Sequence, residues 1–117
     1  MSRWSKIKTV AHIEEWHYKP NGLTVLHKAM HQAPVIGFMV TYLVGSRHEV
    51  RGNTGAAHLL EHLMFKGSKK YNKKTGMTID KLEDYGSVLN ATTWLDRTNY
   101  YSVFPKQHVR MAMDMEA

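Results

Sequence analysis

Apolar residues from Pro34 onward form a nearly unbroken run, Val35-Ile36-Gly37-Phe38-Met39-Val40, extended by Tyr42-Leu43-Val44. A run this rich in β-branched and aromatic residues predicts a long strand ending near Val44. Ahead of it, Glu14 to Lys19 and Leu23 to His27 flank Pro20-Asn21-Gly22. Asn-Gly between two β-prone segments is the strongest short hairpin signal. The period changes at Ala56. Leu59, Leu60, Leu63 and Met64 recur at i, i+1, i+4 and i+5, one apolar stripe along a helix. The helix is predicted over Ala56–Lys66 and closed by Gly67 in the C′ role, its stripe anchored in the core. The segment from Gly45 to Gly55 reads as a loop, with Asn53-Thr54 as the helix cap.

Further on, a second helix is predicted from Thr78 to Tyr85, stopped by Gly86. Val88–Thr93 and Thr98–Phe104 read as strands around the turn Trp94 to Arg97. After Pro105 a last helix starts and runs to Ala117 without a closing cap, so residues 1–117 are expected to be the incomplete N-terminal part of a larger domain. The order of strands, helix, helix, strands, helix predicts an α+β fold. Its sheet is expected to be mixed or antiparallel with helices packed on one face, unlike a doubly wound fold. No internal repeat, low-complexity tract or linker interrupts the pattern.

Composition narrows the chemistry. The chain has no cysteine, which excludes disulfides, thiolate metal sites and cysteine nucleophiles. A metal would have to be held by His, Asp or Glu, and there are eight histidines. The net charge is +6 and much of the excess sits in Lys66, Lys69, Lys70, Lys73 and Lys74. With Tyr71 as the only interleaved aromatic, this stretch reads as a solvated loop and not as a nucleic-acid surface. The longest apolar run is about half a membrane span, so no membrane partner is expected. The N-terminal residues show no apolar core of a signal peptide, making the cytoplasm the default compartment. A leader already removed would leave the same pattern.

The candidate chemistry lies in His58-Leu59-Leu60-Glu61-His62. Four residues apart on a helix, His58 and His62 stand one turn above each other. Their imidazoles can reach a single zinc ion at about 2.0–2.1 Å each. Glu61 shares that face, placed to take a proton from a polarised water. The pattern H-x-x-E-H is the inverted form of a known zinc motif. The alternative for the pentad is an amphipathic helix with two solvated histidines and a surface glutamate. His27 and His31 have the same spacing, but Pro34 and the strand-like flanks argue against a helix there.

The run Gly55-Ala56-Ala57-His58-Leu59-Leu60-Glu61-His62-Leu63-Met64-Phe65-Lys66-Gly67-Ser68 resembles the zinc-binding signature of the pitrilysin-like metallopeptidases. Gly22-Leu23-Thr24-Val25 is similar to that family's opening strand. Asn90-Ala91-Thr92-Thr93 and Asp96-Arg97-Thr98-Asn99-Tyr100-Tyr101 are similar to the segment after its second helix. The resemblance implies a zinc endopeptidase acting on peptides or unfolded segments, with one zinc ion, His58 and His62 as ligands and Glu61 as general base. It also implies that Asn90, Ala91, Thr92 and Thr93 form an edge strand to which substrate adds as a further strand. The alternative for that strand is an ordinary core-flanking hairpin.

In the family the third ligand is a glutamate well downstream, which counting from His62 places near position 139, beyond this chain. Glu116 is too early for that role, and Glu83, Asp84 and Asp96 would reach the site only by accident of the fold. The family's chamber also needs a second, related half, in the same chain or in a partner such as a dimer mate. Non-catalytic substrate-binding or scaffold subunits of two-part peptidases are the rival reading. They typically lose the motif, and this chain keeps all three residues. Lyases that share H-x-x-E-H take a cysteine as third ligand, and none is present.

Overall fold

The computed structural model describes residues 2–72, 74, 75 and 79–116. They form two units, one ending at Ala33 and the other starting at Pro34. The first is an antiparallel meander of β1 (Trp4–Val10), β2 (Ile13–Tyr18) and β3 (Leu23–His27), in that spatial order. Strands β2 and β3 form the hairpin expected from Asn21-Gly22, with Tyr18 opposite Leu23 and Gly22 at φ +75°.

Strand β1 is not foreshadowed in the pattern. It joins β2 through Ala11 and His12, whose φ angles are 49° and 62°. A two-residue turn with positive φ at both centres normally takes Asn or Gly, so this one carries no sequence signal. A register shift between Lys6 and Lys8 also breaks the alternation along the strand. Across the sheet, the Trp4 and Tyr18 rings pack at 4.6 Å, and Glu14 accepts hydrogen bonds from Lys6 and from the Trp16 indole.

The second unit contains β4 (Val35–Tyr42), α1 (Ala56–Met64), α2 (Ile79–Asp84), β5 (Val88–Thr93), β6 (Thr98–Pro105) and α3 (Val109–Glu116). Its sheet has the order β4-β6-β5 and is antiparallel throughout. The α+β class holds, with two small antiparallel sheets where one was expected. On one face Ile36, Phe38, Leu89 and Phe104 meet Leu82 of α2 and Ala112 of α3. Leu82 and Phe104 are the largest fully buried side chains, each worth about 1.5–3 kcal/mol of burial. The expected start of α2 at Thr78 and the end of α3 at Ala117 lie outside the described residues.

Two glycines set the path into and out of α1. At Gly45 an added Cβ would stand 2.1 Å from the Trp94 carbonyl oxygen, because the loop after β4 lies directly on the β5–β6 turn. There the Ser46 and Arg47 N–H groups donate to the carbonyls of Trp94 and Leu95 at 3.0 and 2.6 Å. After α1, Gly67 has φ +94°, and a Cβ there would meet the Tyr71 carbonyl oxygen at 2.3 Å. The following lysine stretch is partly tied down. Lys70 and the Tyr71 hydroxyl both bind the Asp114 carboxylate on α3, while Lys73 lies outside the described residues. Among the described residues no helix is long and apolar enough to cross a membrane.

The apolar stripe of α1 does not behave as expected. Leu59, Leu60 and Leu63 are 60%, 57% and 52% exposed, whereas Glu61 is the buried residue of the helix. Periodicity reports that one side of a helix is apolar, not that anything covers it. Here α1 approaches the sheet with its glutamate side, and nothing among the described residues buries the leucines.

Candidate metal centre

Helix α1 is launched by a carboxylate that local sequence rules overlook. Its N-cap position is Gly55, and neither Asn53 nor Thr54 caps it with a side chain; Asn53 contributes only its carbonyl, which accepts from Ala56 N–H at 3.2 Å. The capping group is Glu49. Its two oxygens accept from the N–H groups of Gly55 and Ala57 at 2.7 and 2.9 Å. These orphan donors and the positive end of the helix dipole favour an anion there. The bond from Gly55, then that from Ala57, holds the Glu49 carboxyl below the ordinary glutamate range.

A folded pKa below the unfolded one means that this contribution is full above the unfolded value and is lost as pH falls through the folded one. Glu49→Gln is therefore expected to lower the melting temperature by a few degrees at neutral pH. The difference from the native protein should close in acid, as thermal melts at pH 7 and pH 3 would show. An equal deficit at both pH values would mean that the charge of Glu49 is immaterial.

One turn into α1, His58 and His62 project side by side. Their Nε2 atoms are 3.1 Å apart and their ring centroids 4.6 Å apart. Two nitrogens bound to one tetrahedral zinc at about 2.0–2.1 Å are about 3.4 Å apart, so the pair fits a shared ion with little adjustment. Both rings are exposed. Among the described residues no third His, Cys, Asp or Glu joins them; Glu83, Asp84, Asp96 and Glu116 are not brought to the histidines. Glu116 instead lines a cavity of about 190 Å³ with Phe65, Leu89, Asn90, Tyr101 and Met115, where burial raises its carboxyl above the usual range.

Glu61 is 9% exposed, and its Oε2 accepts a hydrogen bond from the Thr93 hydroxyl. Tyr100 lies close by, its phenol raised above the tyrosine range first by burial and then by the charge of Glu61; it stays neutral at ordinary pH. Strand β5 is an outer strand of its sheet. On it, the Asn90 side-chain oxygen accepts from the Ala91 N–H at 2.8 Å, Ala91 is buried, and Thr92 is opposite Asn99.

Sequence reasoning missed Glu49, whose distance from the helix start matches no capping-box spacing. It also missed the engagement of Thr93 with Glu61, which depends on where β5 lies beside α1. His48 accepts from the Gly45 N–H through Nδ1 at 3.2 Å. His108 stacks on Tyr85 at 4.4 Å.

The fold is one that a known peptidase shares. The structure superposes on crystalline pitrilysin with a TM-score of 0.82 and 26% identity, covering 98% of this chain and 13% of that one. The chain belongs to the insulinase family, peptidase family M16, whose model matches residues 24–117. It is 43% identical over 82 residues to the zinc protease PqqE of Helicobacter pylori, covering 69% of this chain and 18% of that protein. It is 36% identical over 96 residues to the mitochondrial-processing peptidase subunit beta of Blastocladiella emersonii, covering 82% and 20%. The chain thus spans about one fifth of the length of these relatives.

Proposed function

We propose that this chain carries the metal-binding helix and general base of a zinc-dependent endopeptidase, with His58 and His62 as two ligands of one ion. The observation that supports this best is the convergence of the two Nε2 atoms at 3.1 Å beside a glutamate fixed by a hydrogen bond. When bound, a zinc ion would supply polarisation of a water and of a peptide carbonyl. Glu61 takes the proton from the attacking water at Oε1, since Oε2 is engaged by Thr93. It then delivers that proton to the leaving amine. The outer strand β5 aligns the substrate backbone by strand addition at Asn90, Ala91 and Thr92.

The third ligand, by this reading, is a carboxylate outside the described residues, and the chamber is completed by a second half in the same chain or a partner. The experiment is metal analysis of the peptidase containing this chain, with hydrolysis of an unfolded peptide measured before and after chelation. The expected result is one zinc per site, loss of hydrolysis on chelation and recovery with stoichiometric zinc. The 117-residue chain alone is expected to bind zinc more weakly and to cleave little. Chelator-indifferent binding of substrate without cleavage would instead favour a non-catalytic subunit. Binding of polyanions with a steep salt dependence would favour the lysine loop as the functional surface.

A further inference from the structure

We propose that Thr93 is a positioning residue for Glu61 and not a contact for substrate; this rests on Glu61 being the general base. A carboxylate taken out of water is costly unless it is hydrogen-bonded. Glu61 is buried on α1, and the hydroxyl of Thr93 donates to its Oε2. The strand that carries this hydroxyl is itself held in place. Thr93 is directly opposite Thr98 across the β5–β6 ladder, their Oγ1 atoms 3.5 Å apart. The Thr98 hydroxyl gives its single hydrogen to the Val44 carbonyl at 2.9 Å, and the Thr93 hydroxyl gives its own to Glu61 Oε2.

The same end of the sheet is pinned from the other side. The turn following Thr93 is bound by the loop that leads to α1, through the N–H groups of Ser46 and Arg47. Thr93 therefore joins the outer strand to the base, orienting Oε1 toward the water while Oε2 is restrained. This separates it from Asn90, Ala91 and Thr92, which remain the strand-addition residues. A base held in one rotamer loses less in reaching the geometry of proton transfer.

The test compares Thr93→Val, which keeps the shape and loses the hydroxyl, with Thr93→Ser, which keeps the hydroxyl, in the zinc-loaded peptidase. A hydrogen bond to a charged group predicts that Thr93→Val lowers kcat about 10- to 100-fold. KM and zinc affinity should stay unchanged, and Thr93→Ser should recover most of kcat. In the Glu61→Gln background, Thr93→Val should leave the dissociation constant for an uncleaved peptide unchanged. A crystal structure of zinc-free Thr93→Val should show Glu61 in a different rotamer, and Thr93→Ser should show it in place. If Thr93→Val does not fold, Thr93→Ala is read in the same way. A raised KM or weakened peptide binding with kcat intact would overturn the proposal in favour of a substrate contact. Full activity of Thr93→Val where Glu61→Gln is inactive overturns the Thr93 role alone. Full activity of Glu61→Gln overturns the reading of the base itself.

Discussion

Glu61→Gln is expected to lower the rate of peptide hydrolysis about 10²- to 10⁴-fold, the usual contribution of a positioned general base. The substitution keeps the size of the side chain and an oxygen that accepts from Thr93. What it removes is the ability to take a proton. With His58 and His62 proposed as the zinc ligands, the variant should bind one zinc ion with native affinity. The site tolerates the change: Glu61 is 9% exposed, and a neutral amide costs less to bury there than a carboxylate. Melting temperature should therefore hold or rise while activity collapses. Steady-state hydrolysis, zinc analysis and a thermal melt on one preparation measure all three. Hydrolysis within a few-fold of native would show that the proton leaves by another route.

His62→Ala is expected to weaken zinc binding by more than about 100-fold, since losing even a partner hydrogen-bonded to a ligand costs about 10- to 100-fold. Its ring is exposed and its Nε2 faces that of His58 at 3.1 Å, so the metal-free variant should melt where the metal-free native protein melts. His58→Ala should behave alike, because removal of either ring destroys the same chelate. His31→Ala, four residues from His27 but on no helix, is the control and should leave zinc binding unchanged. Competition against a chromophoric chelator reads each affinity. Undiminished zinc binding in both His58→Ala and His62→Ala would place the metal elsewhere.

The parts of this structure legible in the sequence are those decided within a few residues. Asn21-Gly22 announces the β2–β3 hairpin, the Val35–Val40 run announces β4, and the spacing of His58 and His62 on one helix announces their convergence. What was not legible depends on where distant segments come to lie. Strand β1 is hidden because Ala11 and His12 adopt positive φ without being Asn or Gly. Glu49 reaches the start of α1 only because the intervening loop folds back on itself. The leucine stripe announced a helix correctly and its burial wrongly. The pattern specifies the faces of α1, whereas the burial of Glu61 against β5, where the Thr93 hydroxyl donates to it, depends on how distant segments pack. The site was legible as residues and not as a connected arrangement.

The contact between Gly45 and the β5–β6 turn has a consequence for sequence length. Two consecutive N–H groups after Gly45 use the carbonyls of Trp94 and Leu95 as docking points, and Gly45 has no room for a side chain there. One residue added between Thr93 and Thr98 would offset those carbonyls and turn one of them away. Helix α1 and strand β5 would then lose their common reference, although His58, Glu61 and His62 were still encoded. The turn over residues 94–97 is thus a gauge whose length is set by the loop that leads to α1, while Ala11-His12, which borders no such contact among the described residues of its own sheet, is free to lengthen.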